Sequence, residues 1–217
     1  MNIAILGGTG KEGAGLATRW AIAGHSIIIG SRDPARAHDK AVELRDRAHK
    51  IPIVGHGNGE AAALGEVVVV ALPATGLATT LPEVREGCRT KVVISTVVPL
   101  TFGGPRLFTP PPDGSAAEQV QALLPEARVV AAFHHIAAHE LSSTEHDIEC
   151  DLLMCGGDAA AKAVVAELGR SMGLRALDVG PLTNAGPIEG ITAVLATINR
   201  RYKLKNSGIK ITGLQES

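Results

Sequence analysis

Three glycines close to the start of the chain constrain its fold more than any other feature. Gly8, Gly10 and Gly13 follow an apolar run at residues 3–6 and lead into a stretch of helical character from residue 11 to about residue 23. A strand, a glycine turn and a helix in this order begin a dinucleotide-binding βαβ unit. In that unit the first glycine allows the tight turn, the second lets the backbone approach a pyrophosphate, and the third lets the helix pack closely on the strand. The helix N-terminus then offers N–H groups and a positive dipole end to the phosphates.

The end of the second predicted strand indicates which dinucleotide binds. Residues 26–29 form a mainly apolar run, which ends at Gly30, Ser31 and Arg32. A site that prefers NAD usually carries an acidic residue about 20 residues after the glycines, where it binds the ribose 2′-hydroxyl. Here Ser31 and Arg32 take that place, and Arg36 lies one helical turn further on. Two guanidinium groups and a hydroxyl suit a dianionic 2′-phosphate, so the sequence predicts NADP(H).

Both motifs have a simpler interpretation that the sequence leaves open. The glycines also fit a turn that binds no ligand. Arg32 and Arg36 also fit the solvated start of a helix, for which Asp33 is the expected cap and Pro34 the first residue.

Strands and helices alternate over the first part of the chain, which predicts an α/β fold with a Rossmann-type doubly wound parallel sheet. The pattern changes after residue 136. We therefore expect an NADP-binding domain at residues 1–136 and a smaller C-terminal α/β subdomain at residues 137–217. The predicted strands are 3–6, 26–29, 51–55, 67–72, 91–96, 128–133, 152–156 and 175–179, and the predicted helices are 11–23, 34–50, 58–64, 75–86, 159–172 and 187–202. A further helix is expected after Ser115, with Glu118 completing a capping box.

The composition limits the partners of the chain. Its 217 residues carry a net charge of −1, so no basic excess points to nucleic acid or an anionic membrane. No apolar run approaches the length that spans a bilayer, and a core strand that starts at residue 3 leaves no room for a signal peptide. Three scattered cysteines do not make a disulfide framework. We therefore expect a cytoplasmic protein that acts on small molecules.

Two other stretches are candidates for function. Residues 98–114 are irregular and rich in proline, which fits either a lid over a site or a surface excursion. His134 follows the predicted strand at 128–133, at the end where functional groups collect, so it is the expected catalytic side chain; a structural histidine is the alternative. The spacing of His134, His135, His139, His146, Cys150 and Cys155 matches no usual zinc site, and we predict no metal.

Taken together, these motifs resemble the NADPH-dependent coenzyme F420 reductases, also called F420:NADP oxidoreductases. Single motifs occur in many Rossmann-type enzymes, but the order and spacing of the whole set are specific. The resemblance runs almost from end to end, through residues 5–10, 29–32, 72–73, 98–99, 115–118, 129–134, 180–182, 199–203 and 208–209.

The resemblance implies reversible hydride transfer between NADP(H) and the deazaflavin coenzyme F420, by a protein that is commonly a homodimer. It implies that NADP binds at Thr9, Gly10, Lys11 and Glu12, with its 2′-phosphate at Ser31, Arg32 and Arg36. Its ribose and nicotinamide are then bordered by Pro73, Ala74, Ala78, Leu100 and Ala138.

The resemblance also implies where the deazaflavin lies. His134 and Ile136 mark the place where the two rings meet, the tail around Ser207 and Gly208 closes the deazaflavin side, and Thr192 fits the family pattern for F420. One departure is Gly186, which stands where archaeal members carry an arginine. A basic tail is our candidate replacement for that cation, through Arg200, Arg201, Lys203 and Lys205.

Two other functions remain as alternatives at this stage. One is an NADPH-dependent reductase of a small imine or carbonyl compound, with His134 as the proton donor. The other is a non-catalytic NADPH sensor that acts through partners.

Overall fold

The computed structural model describes residues 1–47, 52–104, 106–112 and 114–214. Within these ranges eight strands alternate with helices. The strands are β1 (Asn2–Leu6), β2 (Ser26–Ser31), β3 (Ile53–Gly57), β4 (Val67–Val70), β5 (Val92–Ser95), β6 (Arg128–Ala131), β7 (Asp151–Gly156) and β8 (Arg175–Asp178). The helices are α1 (Lys11–Ile22), α2 (Pro34–Arg47), α3 (Asn58–Leu64), α4 (Leu77–Cys88), α5 (Ala116–Leu123), α6 (Ala138–Ser142), α7 (Ala159–Arg170) and α8 (Ala185–Tyr202).

The strands form one sheet in the order β3-β2-β1-β4-β5-β6-β7-β8. Strands β1 to β6 pair in parallel, β7 is antiparallel to β6, and β8 is parallel to β7. The order reverses between β1 and β4, which is the switch point where doubly wound sheets bind ligands. In the register, Leu6 at the end of β1 is opposite both Gly30 of β2 and Val70 of β4, so three carboxyl ends meet at one edge. The predicted α/β Rossmann-type fold is confirmed.

The strands after residue 137 extend this sheet rather than forming a second one. The largest hydrophobic cluster joins both parts of the chain, from Trp20 on α1 to Leu168 on α7. The Trp20 indole N–H also donates to the Leu168 carbonyl at 3.1 Å. The two parts therefore share a sheet and a core, and the division of roles at residue 136 stays a prediction.

Several predicted boundaries shift for local reasons. β6 ends at Ala131 rather than at residue 133, and Phe133 has a φ of 67°, a left-handed conformation that a strand does not contain. The helix predicted at 75–86 begins at Leu77, after a short 3₁₀ turn at Ala74–Gly76. α6 was not predicted, because its short polar sequence resembles a loop. The predicted helix end at residues 48–50, the strand start at residue 51, and residues 105 and 113 of the irregular loop lie outside the described residues.

The capping box predicted at Ser115 is present in part. The Ser115 hydroxyl accepts a hydrogen bond from the Glu118 N–H at 3.0 Å and donates to the Glu118 carboxylate at 2.7 Å. In the described ranges, no helix has the length and apolar character needed to cross a membrane.

Candidate active site

The turn between β1 and α1 is shaped by the three predicted glycines and by a fourth, Gly7, which the sequence did not single out. Gly7, and not Gly8, has the left-handed backbone (φ 76°), and a Cβ there would lie 2.5 Å from the Ala71 carbonyl oxygen. The turn also needs the predicted glycine at position 8, because a Cβ on Gly8 would lie 2.9 Å from the Ile5 carbonyl oxygen. A Cβ on Gly13 would lie 2.8 Å from the Gly8 Cα, so Gly13 lets α1 pack directly on the turn. A Cβ on Gly10 would lie no closer than 3.4 Å to its nearest neighbour, the Gly7 carbonyl oxygen, so there is room beside the end of α1.

The N-terminus of α1 has no side-chain cap. Its N-cap residue is Gly10, whereas Ser115 caps α5 and Asp158 caps α7 through their side chains. The first N–H groups of a helix have no partner inside the helix, and the positive end of its dipole lies there. α1 therefore offers donors and a positive potential to an anion.

A cleft of about 1110 Å³ opens at this end of α1. That volume exceeds the roughly 300–1,000 Å³ of an ordinary ligand pocket, so it suits more than one small molecule. The cleft brings together these predicted site residues: Thr9, Gly10, Lys11, Glu12, Leu100, His134, Ile136, Ala138, Thr192 and Ser207.

The predicted 2′-phosphate residues lie at the end of β2, beside the glycine turn and outside the cleft lining. The N–H groups of the first two glycines of the turn donate to the Gly30 carbonyl at 3.0 and 3.2 Å, which ties the turn to β2. Ser31 follows directly, and Arg32 and Arg36 are exposed. Among the described residues, neither arginine takes part in an ion pair.

Asp33, the acidic residue between these arginines, is held by the backbone. Its Oδ1 accepts hydrogen bonds from the N–H groups of Ala35 and Arg36 at 3.0 and 3.4 Å. The Asp33 N–H in turn donates to the Ser31 hydroxyl at 3.1 Å. Asp33 thus caps α2, and Pro34 is the first residue of that helix, as predicted.

Pro73, Ala74 and Ala78 also lie outside the lining of the cleft. They follow β4, the neighbour of β1 in the sheet, on the 3₁₀ turn and the first turn of α4. Their position at the same sheet edge is the expected one, and their contact with a ligand stays a prediction.

Glu12, in the first turn of α1, has an unusual environment. Its Oε1 is buried, and no described residue gives it a hydrogen bond. Burial raises the pKa of the Glu12 carboxyl to about 8, while the nearby Thr96 hydroxyl acts in the opposite direction. Such a group is mostly protonated at neutral pH, and a protonated carboxyl donates as well as accepts hydrogen bonds.

His134 is buried at the wall of the cleft, with 5% of its surface exposed. Neither ring nitrogen has a hydrogen-bond partner of normal geometry among the described residues. Burial lowers the pKa of His134 to about 3, with a smaller contribution from His135, while the backbone of Ala132 and Ile188 acts in the opposite direction. The imidazole is therefore neutral, which suits orienting a ligand and disfavours proton donation.

The other residues of the histidine-rich stretch have separate structural roles. His135 Nε2 lies 2.9 Å from the Asp151 carbonyl oxygen, and His146 Nε2 lies 3.0 Å from a Glu140 carboxylate oxygen. Burial raises the pKa of the Cys150 thiol to about 11. Within the part of the chain that the structure describes, no three His, Cys, Asp or Glu side chains are grouped to hold a metal ion.

The irregular loop reaches the mouth of the cleft. Leu100 forms a bridge with Phe108, and the Thr101 N–H donates to the Leu107 carbonyl at 2.8 Å, so this part of the loop folds back on itself. Leu100 and Phe102 line the cleft, and Phe102 is 75% exposed. This placement favours the lid interpretation. Phe102 itself was missed, because a single aromatic residue in a loop gives no periodic signal.

The far wall of the cleft is built by α8 and the C-terminal tail. The Thr192 hydroxyl donates to the His134 carbonyl at 3.2 Å, and the Ser207 hydroxyl donates to the Leu195 carbonyl at 3.2 Å. The tail is then fixed to β7, because the Ile209 carbonyl accepts a hydrogen bond from the Asp151 N–H at 2.7 Å.

Of the basic residues proposed to replace the missing cation, only Lys205 lines the cleft. Asn199 also lines it and was missed.

The residues fit a dinucleotide. Within the described residues, three features would be satisfied by a bound anion and a polar ring. They are the uncapped end of α1, the absence of ion pairs at Arg32 after β2 and Arg36 in α2, and the unsatisfied polar atoms of the cleft. With the strand order of the sheet, they define the class of Rossmann-fold proteins that bind a phosphorylated dinucleotide at the switch point.

Comparison with known proteins assigns the family within this class. Residues 2–99 match the family model described as NADP oxidoreductase, coenzyme F420-dependent. The chain is 41% identical over 223 residues to the F420-dependent NADP reductase of Methanocaldococcus jannaschii, an alignment that covers 99% of this chain and 100% of that protein. The chain belongs to the family of coenzyme F420-dependent NADP oxidoreductases, as its motifs predicted.

Solved structures agree with this assignment. A putative F420-dependent NADP reductase from Arthrobacter sp. FB24 superposes with a TM-score of 0.83 at 28% identity, over 97% of this chain and 98% of that one. An imine reductase from Bacillus cereus has a TM-score of 0.63 at 16% identity, over 93% of this chain and 63% of that one, a likeness of fold alone.

Proposed function

We propose that this protein catalyses reversible hydride transfer between NADP(H) and coenzyme F420. The observation that carries the proposal is the cleft at the open end of α1, in a chain of this family, with two unpaired arginines at the adjacent strand end. Hydride transfer between two carriers needs no protein nucleophile. It needs two rings held face to face at about 3–3.5 Å with water kept away.

In this proposal the dinucleotide runs from the end of β2 into the cleft. The 2′-phosphate binds to the exposed Arg32 and Arg36 and to the hydroxyl of Ser31, which is mostly buried beside the glycine turn. The pyrophosphate accepts hydrogen bonds from the first N–H groups of α1, where no side chain competes. The ribose and nicotinamide then lie among these residues: Thr9, Lys11, Glu12, Pro73, Ala74, Ala78, Leu100 and Ala138.

The deazaflavin occupies the side of the cleft formed by Ile136, Thr192 and Ser207. His134, at the junction, positions an amide or carbonyl group of a ligand through a ring nitrogen that lacks a protein partner. Lys205 is the cation of the cleft wall nearest in sequence to Ser207, and we propose that it contacts the anionic part of F420 in place of the arginine missing at Gly186.

The proposal also covers the roles of the two parts of the chain, the cellular location and the oligomeric state. Residues 1–136 bind the NADP(H) side and residues 137–217 provide the F420 side and the contacts of a homodimer. The protein works in the cytoplasm, for which its three free, buried cysteines are suited. Size-exclusion chromatography with light scattering tests the dimer, and a monomer at micromolar concentration contradicts it.

The test is direct. Purified protein is mixed with NADPH and oxidised F420, and the visible absorbance of the deazaflavin is followed with time. We expect the absorbance to disappear at a rate that depends on both compounds, and much more slowly with NADH. A flat trace in a sample that binds NADPH contradicts the proposal. Turnover with small imines or carbonyls would then indicate a reductase, and NADPH binding that alters assembly without turnover would indicate a sensor.

A further inference from the structure

Glu12 is a polar group of the cleft for which the proposed hydride transfer has no assigned chemistry. It lies in the first turn of α1, and its buried Oε1 has no partner among the described residues. The cleft that it lines is also lined by Leu100, His134 and Ile136, the residues proposed to surround the nicotinamide. The carboxyl group of Glu12 therefore borders the cleft with one oxygen that no described residue satisfies, while the Thr96 hydroxyl interacts with the group.

Among the described residues, no charged side chain shifts the pKa of this carboxyl. The titratable and charged side chains that line the same cleft are Lys11, Lys40, Glu43, His134, His135, His139 and Lys205. The raised pKa of Glu12 comes from burial and is opposed by the Thr96 hydroxyl, with no contribution from these side chains. No ion pair among the described residues includes Glu12, so a charge on the ring of a ligand would act directly on its carboxyl.

The nicotinamide is a ligand whose charge changes during the reaction. Its ring is neutral in NADPH and carries one positive charge in NADP⁺. A partly buried carboxyl group favours the protonated form beside a neutral ring and the ionised form beside a cation. His134 does not match this change, because burial holds its pKa near 3 and keeps it neutral.

Resting on the proposed function, we propose that Glu12 is the charge partner of the nicotinamide: a carboxylic acid when NADPH is bound and a carboxylate when NADP⁺ is bound. Glu12 thereby positions the oxidised dinucleotide and favours its binding over that of the reduced one. The carboxyl releases its proton to water when the bound dinucleotide is oxidised. The charge next to the ring then stays constant through the reaction.

The proton balance agrees with this role. In the direction of F420 reduction a hydride, which is two electrons and one proton, passes from the nicotinamide to the deazaflavin, and the deazaflavin takes up one further proton. The overall reaction is NADPH + F420 + H⁺ giving NADP⁺ + reduced F420. Glu12 loses one proton as NADP⁺ forms and regains it from water when NADP⁺ leaves, so it adds no net proton to the cycle.

The first test uses the unmodified protein. NADP⁺ is added to the protein in weakly buffered solution at pH 7 with a pH indicator, and NADPH is added in a parallel sample. A carboxyl with a pKa of about 8 is mostly protonated at pH 7, and a fall of about one pKa unit on NADP⁺ binding ionises about half of it. We therefore expect NADP⁺ to release about half a proton per site and NADPH to release almost none. For the same reason, the Kd of NADP⁺ should fall as the pH rises from 6 towards 8 and then level off.

The second test uses Glu12→Gln, which keeps the shape of the side chain and removes the ionisable group. We expect the Kd of NADP⁺ to rise about tenfold at pH 8, the equivalent of one pKa unit, while the Kd of NADPH changes less than about twofold. The variant should release no proton on binding NADP⁺. Glu60→Gln, which removes the first-turn acid of α3 away from the cleft, is the matched control and should behave as wild type.

The outcomes separate this inference from the proposed function. If the wild-type protein reduces F420 but binds NADP⁺ without releasing a proton, the role of Glu12 is wrong and the proposed function stands. An equal loss of NADP⁺ and NADPH affinity in Glu12→Gln, with the fold intact by circular dichroism, contradicts it in the same way. If the wild-type protein binds neither dinucleotide, the proposed function fails and this inference fails with it.

Discussion

Two helices of this molecule begin in opposite ways. At α5 the chain satisfies the helix end itself: the Ser115 hydroxyl accepts a hydrogen bond from the Glu118 N–H at 3.0 Å. The buried Glu189 carboxylate of α8 accepts from the Ala116 and Ala117 N–H groups at 3.0 and 3.1 Å. At α1 the N-cap is a glycine, and no side chain caps the helix.

The difference teaches how to distinguish a structural helix end from a binding one. In both helices the first N–H groups have no partner within the helix itself, and the positive end of the helix dipole lies there. At α5 the carboxyl group of Glu189 supplies the acceptor and joins α8 to α5. At α1 no side chain takes that position, which lies beside a cleft of about 1110 Å³, and we propose that the pyrophosphate takes it. The following changes test this contrast, from the largest expected effect to the smallest.

The double change Arg32→Ala with Arg36→Ala should weaken NADPH binding most. Charge-assisted hydrogen bonds contribute about 1.5–3 kcal/mol each, so we expect the Kd of NADPH to rise at least about 100-fold. Binding of NADH should change by less than about twofold, because NADH has no 2′-phosphate. Isothermal titration calorimetry gives both values. Arg45 is an exposed arginine of α2, the helix that contains Arg36, so Arg45→Ala is the control. An equal rise in the Kd of NADPH in Arg45→Ala would argue against a specific phosphate site.

Glu189→Ala should destabilise the closed helix end. It leaves two buried N–H groups at the start of α5 without their acceptor, which costs about 2–4 kcal/mol in the free energy of unfolding. Urea denaturation measures the loss. Glu189→Gln, which retains one carbonyl acceptor, should lose roughly half as much. Equal stability of Glu189→Ala and wild type would show that α5 does not need this anion.

Gly10→Asp converts the open helix end into a closed one. The backbone of Gly10 is extended (φ −77°, ψ 166°), which an N-cap aspartate adopts without strain. We expect a gain of about 0.3 kcal/mol in the free energy of unfolding, because glycine is already a tolerated N-cap. We also expect a rise of about tenfold or more in the Kd of NADPH, because the carboxylate competes with the pyrophosphate. Gly10→Ser adds a neutral cap and should weaken binding less. Unchanged NADPH affinity in Gly10→Asp would place the pyrophosphate elsewhere.

Ser115→Ala is the smallest change. Loss of an N-cap hydroxyl costs about 1 kcal/mol of stability, and Glu189 still holds the other N–H groups of α5. Thermal unfolding followed by circular dichroism should show the lower midpoint, with NADPH binding unaltered. A larger loss than that of Glu189→Ala would reverse the roles assigned to these two residues.

The sequence was informative wherever a local pattern decides the structure. The glycines after β1 and the basic residues after β2 indicated the fold and the phosphorylated dinucleotide, because spacing from a strand end places a residue at the sheet edge. The cap at Asp33 followed from its position before Pro34. The left-handed conformation of Gly7 was not predicted, since two neighbouring glycines look alike in a sequence.

Features that depend on long-range packing were not visible in the sequence alone. The pairing of β7 with β6 and the fixing of the tail by Asp151 join distant segments that have no periodic signal. Thr192 and Ser207 were expected at the cleft only through the family resemblance, because helix periodicity does not say which face meets a ligand. The protonation state of Glu12 depends on its burial, which follows from the complete fold.

The most direct test of the central claim is a crystal structure of the protein with NADP⁺ and F420 bound. The account predicts the pyrophosphate on the first N–H groups of α1, the 2′-phosphate between Arg32 and Arg36, and about 3–3.5 Å between the nicotinamide C4 and deazaflavin C5 atoms. A dinucleotide bound away from α1, or two rings that cannot meet in the cleft, would contradict it.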